Sequence, residues 1–256
     1  MTHVKTPRLT LVGAGPGDKD LISVKGLYKL KSADVILYDA LVNTELFENV
    51  SENILKIYVG KRRNQHSYTQ GQINDLIVDL AFIYGHVVRL KGGDSFVFGR
   101  GMEEIQHAES FNIETEVIPG ISSATSVPGM AGIPVTNRGT SESFWVLTGT
   151  TKNNTLSADI KLAAKTDATI IILMGLSKLK EIVEIFINEG KGKLAVAIIQ
   201  DGSLPTQNTA IGTIDTIIDI AEDEDIQAPA VIVIGAVVGL NNLSKLSKYN
   251  IRSLLN

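Results

Sequence analysis

The sequence predicts an α/β protein built from two α/β domains with a cleft between them. Short apolar runs rich in β-branched residues recur along the chain, and segments with helical apolar spacing lie between them. Pro119-Gly120 and the stretch 134–141 interrupt this alternation in mid-chain. We therefore expect an N-terminal domain over residues 1–121 and a C-terminal domain over residues 122–256.

The expected strands are nearly continuous in apolar character, which is typical of parallel sheets covered by helices on both faces. In the clearest helix, over residues 72–84, Ile73, Ile77, Leu80 and Ile83 recur on one apolar face, and Gly85 is placed to end it. Two further helices are expected over 21–31 and 179–189. The predicted strands cover residues 9–13, 34–38, 54–59, 86–91, 116–118, 144–148, 169–174, 194–200 and 230–235.

Composition sets limits on function. The 256-residue chain has 44% hydrophobic residues, a net charge of -4 and no cysteine, which fits a cytoplasmic globular protein without disulfides or thiolate metal sites. The acidic balance argues against a nucleic-acid partner, and the longest apolar runs are too short to cross a membrane. No metal is expected, because the histidines are scattered on the surface or at strand ends: His3, His66, His86 and His107.

The first glycine loop, residues 13–18, follows a predicted strand and suggests a dinucleotide fingerprint. The pattern G-x-G-x-x-G fails, because the third glycine comes one place early and Asp18 holds its slot. Pro16 also lacks an amide donor, and Asp18 is a typical helix N-cap. Two interpretations stay open: a tight turn without a ligand, or a close approach of the backbone to a ligand that is not a phosphate.

The second glycine loop follows the predicted strand 86–91 and carries both glycines and charges. Gly92-Gly93-Asp94 comes first, and Gly99 and Gly101 then bracket Arg100 before a helical segment begins at Glu103. Glycine pairs after a strand let the backbone adopt positive φ and approach a flat or bulky group. A cation and carboxylates in the same turn favour a ligand site over a plain connection.

Taken together, the motifs resemble those of the tetrapyrrole methylases, and among them the members that C-methylate uroporphyrinogen III. The pairing of YDALV with GGDxFxFGRG is the specific part of the resemblance. Three positions depart from the usual pattern: Ser95 replaces proline, Met102 replaces glycine and Asn137 replaces histidine. The matching segments are VGAGPGD (12–18), ADVILYDALV (33–42), VGKR (59–62), RLKGGDSFVFGRGMEE (89–104), VIPGISSA (117–124), AGIPVTNR (131–138), LMG (173–175), DGSLPTQ (201–207) and PAVIVIG (229–235).

The resemblance implies a homodimer that uses S-adenosylmethionine, with the cofactor in the cleft. The implied reaction methylates uroporphyrinogen III to precorrin-2 by way of precorrin-1, for sirohaem or cobalamin synthesis. The resemblance covers no additional dehydrogenase-chelatase module, which implies a single-function version of the enzyme. Because the methyl donor is already activated, the protein chiefly supplies alignment and proton handling.

The catalytic residues implied by the resemblance are Asp39 as general base and Lys61 as proton donor. Asp39 follows a predicted strand, where α/β sheets place functional groups; the alternative is a helix cap. Lys61 could equally contact an anion, or belong to a solvated loop with Arg62 and Arg63.

The substrate carries eight carboxylates, so local cations are needed, and arginine suits bidentate pairing. Arg100 and Arg138 stand where the family grips the macrocycle. Glu103 is the matched acid, either contacting pyrrole N–H groups or forming a surface ion pair. The implied cofactor contacts are Pro16, Gly92, Gly93, Asp94, Val97, Ser122, Ser123, Met174, Gly202 and Ala230; for Met174 a core role is the alternative.

Two other functions remain as alternatives. The same fold could methylate a later precorrin or a nucleic acid, although the acidic chain and the FGRG segment weigh against RNA. The second alternative is a dinucleotide oxidoreductase or a nucleotide sensor. The misplaced third glycine weighs against this alternative.

Overall fold

The computed structural model describes residues 5–60 and 68–240 of the chain. The chain divides into two compact units, Met1–Ser122 and Ser123–Asn256. Within the described ranges, no helix combines the length and the apolar character needed to cross a membrane.

The first unit contains a five-stranded sheet in the order β3-β2-β4-β1-β5. Every pair of neighbouring strands is parallel, as the sequence predicts for this half of the chain. Because the strands run the same way, all five end at one edge, called here the carboxyl edge of the first sheet. The elements are β1 (Arg8–Gly13), α1 (Val24–Lys31), β2 (Val35–Tyr38), β3 (Leu55–Tyr58), α2 (Gln70–Tyr84), β4 (His86–Lys91), α3 (Gly101–Ser110) and β5 (Glu114–Ile118).

Both faces of this sheet are covered. Alternate residues along a strand point to opposite faces, so Leu11 and Val87 join one apolar cluster with α2 and α3. Val12 and Val88 join the cluster on the other face, together with Leu30 of α1. The central strand β4 is buried at all six positions, including its two cations, Arg89 and Lys91.

The helix ends follow local capping chemistry. Thr69 and Gln72 form a capping box that starts α2 at Gln70, and Gly85 ends the helix with φ 104°. Ile83 is 71% exposed, so the prediction that it belongs to the buried face of α2 is wrong. The predicted N-cap role of Asp18 is confirmed: it caps a short 3₁₀ turn by accepting from Asp20 N over 2.9 Å, while α1 itself begins later, at Val24.

The second unit contains a mixed five-stranded sheet in the order β6-β7-β10-β8-β9. Its two faces pack against separate apolar clusters, one reached by α4 and the other by α5, α6 and α7. The elements are α4 (Ser123–Met130), β6 (Phe144–Thr148), α5 (Asp159–Ala163), β7 (Thr169–Leu173), α6 (Leu179–Asn188), β8 (Ala195–Gln200), β9 (Asn208–Thr213), α7 (Ile217–Asp223) and β10 (Ala230–Ile234).

The prediction of parallel pairing is wrong for this second sheet. Only β6 and β7 are parallel; β10 runs antiparallel to β7 and β8, and β8 forms an antiparallel pair with β9. Strand β9 is absent from the predicted set because Ala210 is its one fully buried residue, and its polar neighbours give no continuous apolar run. An edge strand of this kind carries little of the hydrophobic signal on which strand prediction depends.

Candidate active site

Three glycine-containing loops meet at the carboxyl edge of the first sheet. A Cβ atom built on Gly13 would lie 2.5 Å from Gly120 Cα, and one on Gly120 would lie 2.1 Å from Gly93 O. No side chain larger than hydrogen fits there. The glycines after β1, β4 and β5 therefore bring three backbones into direct contact.

The first glycine loop is bonded to the second. Gly15 N donates to Gly93 O over 3.2 Å, and Gly93 N donates back to Gly15 O over 2.7 Å. Both glycines have positive φ, 83° and 63°. Because the Gly15 amide is used inside the protein, it is not available to a pyrophosphate, in agreement with the broken dinucleotide pattern. Pro16 follows this bridge and is half-buried.

Asp94 ties the second loop to the segment after β5. Its Oδ1 accepts from Phe96 N over 2.8 Å, and its Oδ2 accepts from Gly120 N over 3.0 Å. Both carboxylate oxygens therefore shape the loop. Val97 within this loop and Ser122 after β5 are half-buried.

Arg100 and Glu103 form a bidentate ion pair at the start of α3. Arg100 Nε and Nη2 donate to the two oxygens of Glu103 over 2.7 and 2.6 Å. Both side chains are about half exposed. The pair raises the pKa of Arg100 through its hydrogen bonds to Glu103. The surface ion pair considered for Glu103 is thus present in the structure.

Asp39 lies directly after β2 at the same carboxyl edge. Its Oδ1 accepts from Arg89 Nη2 over 2.6 Å, and Lys91 Nζ lies 3.9 Å from its Oδ2. The side chain keeps 29% of its surface exposed. The helical turn that follows is capped by Asn43, which accepts from Glu45 N. Asp39 is therefore an ion-paired carboxylate at the sheet edge and does not cap that turn.

A buried carboxylate, Glu104, stands behind this ion pair. Its Oε1 accepts from Arg89 Nε over 3.2 Å, from Lys91 Nζ over 3.0 Å and from Gln70 Nε2 over 3.2 Å. The side chain of Glu104 is fully buried, and those of Arg89 and Lys91 are nearly so. Burial, and after it the nearby Arg89 cation, lower the pKa of Lys91, and the two carboxylates only partly oppose this.

Sequence reasoning missed this cluster, although a signal was present. Arg89 and Lys91 alternate along a strand that is otherwise apolar, so both face the same side of the sheet. Two cations on one face of a central strand need anionic partners. Glu104 lies within the quoted motif 89–104, but it received no role.

In the second unit, Met174, Gly202 and Ala230 come together at one end of the sheet. Met174 follows β7, Gly202 follows β8, and Ala230 begins β10, which is antiparallel to both. Met174 has φ 55° and is 52% exposed, which argues against the core role considered for it. A Cβ on Gly202 would lie 2.3 Å from Val127 Cγ1, so only glycine fits there.

Arg138 lies at the opposite end of the second sheet. Its turn is closed by a bridge between Asn137 and Ser141. The Ser141 hydroxyl accepts from Thr169 Oγ1 at the start of β7 over 3.0 Å, whereas Met174 follows the end of that strand. Arg138 is exposed, and no salt bridge to it is found among the described residues. Ser123, the first residue of α4, is half-buried.

Some of the residues singled out in the sequence lie outside the part of the chain that the structure describes. Lys61 falls in 61–67, outside the described ranges, as do His3 and His66. His86 begins β4 at a strand end but is buried, with Nε2 2.9 Å from Thr10 Oγ1. Across residues 5–60 and 68–240, no group of three or more histidine, aspartate or glutamate side chains is arranged to hold a metal ion.

Two α/β units, each with tight glycine turns where its strands end, define an α/β protein of the kind that binds small ligands at sheet edges. The family model of the Tetrapyrrole (Corrin/Porphyrin) Methylases matches residues 8–218. The chain therefore belongs to the tetrapyrrole methylase family and is a methyltransferase. This confirms the resemblance inferred from the motifs and leaves the dinucleotide oxidoreductase without support.

Individual relatives agree with this assignment. The uroporphyrinogen-III C-methyltransferase of Methanocaldococcus jannaschii is 45% identical over 237 residues, which cover 92% of this chain and 98% of the relative. The siroheme synthase of Nitrosomonas europaea is 41% identical over 96% of this chain, which spans 51% of that relative's length.

A solved structure confirms the predicted α/β fold class. It is the uroporphyrin-III C-methyl transferase from Thermus thermophilus complexed with S-adenyl homocysteine. The TM-score is 0.78 at 31% identity, and the match covers 91% of this chain and 99% of that one.

Proposed function

We propose that this chain transfers methyl groups from S-adenosylmethionine to uroporphyrinogen III, twice, giving precorrin-2 by way of precorrin-1. The product would enter sirohaem or cobalamin synthesis. Support comes from the M. jannaschii relative, which is named for methylation of uroporphyrinogen III and is matched over nearly its whole length. The structural observation that carries the proposal is the partly exposed Asp39 carboxylate held at the carboxyl edge of the first sheet by buried Arg89.

The proposed chemistry begins with attack of an electron-rich pyrrole carbon on the sulfonium methyl group. A carbon–carbon bond forms, the carbon–sulfur bond breaks, and S-adenosylhomocysteine leaves with the electron pair. Positive charge then rests on the tetrapyrrole and is removed as a proton. Asp39 is the proposed acceptor, because its carboxylate is partly exposed and is held at the sheet edge by its ion pair with Arg89. Lys61 is the proton donor that the family resemblance implies, for a step other than this methyl transfer, which releases a proton and takes none up.

The residues proposed to bind the cofactor include the glycines of the second glycine loop. Glycines at Gly92 and Gly93 let the backbone come close to the ligand, with Pro16, Val97 and Ser122 beside it and Asp94 shaping the loop through its two accepted hydrogen bonds. The other proposed cofactor contacts are Ser123, Met174, Gly202 and Ala230. The S-adenyl homocysteine in the T. thermophilus complex supports this choice of cofactor.

Arg100 and Arg138 are proposed to bind substrate carboxylates. Arg138 is exposed, and a planar guanidinium can pair with a carboxylate through two hydrogen bonds. Arg100 is already paired with Glu103, so a substrate carboxylate would displace Glu103, whose oxygens could then accept from pyrrole N–H groups. We further propose domains over 1–121 and 122–256, a homodimer, and a cytoplasmic location.

Two measurements test the function. Isothermal titration of the purified chain with S-adenosylhomocysteine should show saturable binding. Incubation with S-adenosylmethionine and uroporphyrinogen III should give precorrin-2. Asp39→Asn should bind the cofactor and fail to turn over, and Asp219→Asn, an exposed carboxylate on α7, is the matched control with normal activity. No binding of S-adenosylhomocysteine by the wild-type chain would refute the proposed function, and turnover of only a later precorrin would change the substrate.

A further inference from the structure

We propose that Lys91 and Glu104 are positioning residues that hold the Asp39 carboxylate in place and balance its charge, acting with Arg89. This inference rests on the proposed role of Asp39 as proton acceptor. It assigns a role to buried charges that the proposed reaction does not itself use.

The geometry places Arg89 between two carboxylates. Its Nε donates to Glu104 and its Nη2 donates to Asp39, over 3.2 and 2.6 Å. Its Nη1 donates to Leu90 O over 3.1 Å. Because a guanidinium is planar, these three bonds fix its plane, and the plane fixes where Asp39 Oδ1 lies.

Glu104 orients both cations through a single oxygen. Oε1 accepts from Arg89, Lys91 and Gln70, whereas Oε2 is buried with no hydrogen-bond partner among the described residues. A buried carboxylate with an unsatisfied oxygen is costly, because charges lose several kcal/mol of solvation on burial. Replacing such clusters with apolar residues is often neutral or stabilising, so stability alone does not explain why these charges are here.

The net charge of the buried cluster links Lys91 and Glu104 to Asp39. Arg89 and Lys91 supply two positive charges, and Glu104 supplies one negative charge. An ionised Asp39 brings the cluster to neutrality, whereas a protonated Asp39 leaves one uncompensated positive charge in a buried site. Lys91 and Glu104 thus set the net charge around the residue that is proposed to accept the proton.

The surroundings of Asp39 add few other groups among the described residues. Strand β4 contributes Arg89 and Lys91, α3 contributes Glu104, and α2 contributes the neutral amide of Gln70. Arg100 lies close enough for its charge to interact with that of Glu104. Tyr58 of β3 packs beside Gly60 at the same sheet edge.

The test is the pH dependence of kcat, measured at saturating substrate and cofactor. Its acid limb reports protonation of the acceptor in the bound complex. Lys91→Met removes a cation and should move this limb to higher pH by about one unit. Glu104→Gln removes an anion and should move it to lower pH. The double variant restores the charge count, so its limb should return towards the wild-type position.

Controls separate positioning from damage to the fold. Lys91→Arg keeps the charge and should leave the limb in place. Each variant should bind S-adenosylhomocysteine with wild-type affinity. If a charge variant does not fold, Gln70→Met tests the same network: losing one donor to Glu104 should lower kcat several-fold without raising KM for the cofactor.

The inference would be overturned if the acid limb of the kcat profile stayed in place in Lys91→Met and Glu104→Gln. It would also be overturned if the limb moved in the same direction in both variants. An unchanged kcat in Gln70→Met would overturn it where the charge variants do not fold. If the wild-type chain bound no cofactor or left uroporphyrinogen III unmethylated, the proposed function itself would fail. Normal methylation with an unmoved limb would remove only the role of Lys91 and Glu104.

Discussion

Arg89 Nη2 donates to Asp39 Oδ1 over 2.6 Å, from a central strand that is buried at every position. The bond joins the interior of the first sheet to a carboxylate at its carboxyl edge. It places the proposed proton acceptor by means of a side chain that is itself hydrogen-bonded to Glu104 and to Leu90 O. The chemistry proposed for Asp39 would then depend on the buried charges of Arg89, Lys91 and Glu104.

Replacing Asp39 should separate binding from turnover. In Asp39→Ala we expect S-adenosylhomocysteine affinity to be unchanged, because the glycine loops that approach the cofactor remain intact. Turnover should fall by about 10²–10⁴-fold, the range typical of a lost general base. Titration calorimetry and steady-state rates measure the two quantities. A wild-type rate would remove Asp39 from the mechanism.

Replacing Arg138 should weaken the substrate far more than the cofactor. In Arg138→Ala we expect KM for uroporphyrinogen III to rise about tenfold or more, because a charge-assisted pair is lost. The affinity for S-adenosylhomocysteine should stay constant. Lys161→Ala, an exposed cation on α5, is the control and should change neither value. Equal weakening of both ligands would instead indicate a folding defect.

Arg89 should be important for stability as well as for placement. Arg89→Met removes one of the two cations that Glu104 and Asp39 share and leaves an uncompensated negative charge in a buried cluster, so the free energy of unfolding should fall by about 3–5 kcal/mol. Urea denaturation measures this change. Arg100→Met removes an exposed pair and should cost at most about 1 kcal/mol. Similar losses in the two variants would mean that burial of the Arg89 network has little energetic weight.

The glycine contact at the carboxyl edge should tolerate no side chain. In Gly120→Ala the new Cβ would lie 2.1 Å from Gly93 O, so the backbones must separate. We expect lower stability and weaker S-adenosylhomocysteine binding. A Cβ atom on Gly71 in α2 would lie 4.0 Å from Thr69 Oγ1, so Gly71→Ala should be neutral or slightly stabilising. Unchanged cofactor affinity in Gly120→Ala would argue against a cofactor beside this contact.

Burial of His86 should make stability depend on pH. Burial lowers the pKa of His86 below its ordinary value of 6.5. Below that value the unfolded chain takes up a proton that the folded chain does not, so stability should fall as pH decreases from about 7 towards the folded pKa. In His86→Gln this part of the pH dependence should be absent. A slope identical to wild type across that window would show that His86 titrates alike in both states.

The first sheet was predictable because parallel strands buried on both faces leave a continuous apolar signal. The second sheet was less predictable, since strand direction leaves no mark on a short apolar run. In addition, the largely polar, half-buried sequence of β9 resembles that of a loop. Both units were nonetheless recognised as α/β from their alternating elements.

The candidate site was predictable where backbone geometry demands a residue type. Glycine is required at Gly13 and Gly120, where a Cβ atom would clash with a neighbouring backbone, and the sequence has glycine at both positions. The partners of Asp39 were not predictable from the sequence, because its bond to Arg89 joins positions 50 residues apart. Only the parallel pairing of β2 with β4 brings the two side chains together.

Transfer of labelled methyl groups tests the central proposal most directly. The purified chain would be incubated with methyl-labelled S-adenosylmethionine and uroporphyrinogen III, and label per macrocycle would be counted by mass spectrometry. We expect a singly labelled intermediate followed by a doubly labelled product, with Asp39→Asn labelling neither. Wild-type protein that binds S-adenosylhomocysteine yet leaves uroporphyrinogen III unlabelled would contradict the proposed substrate.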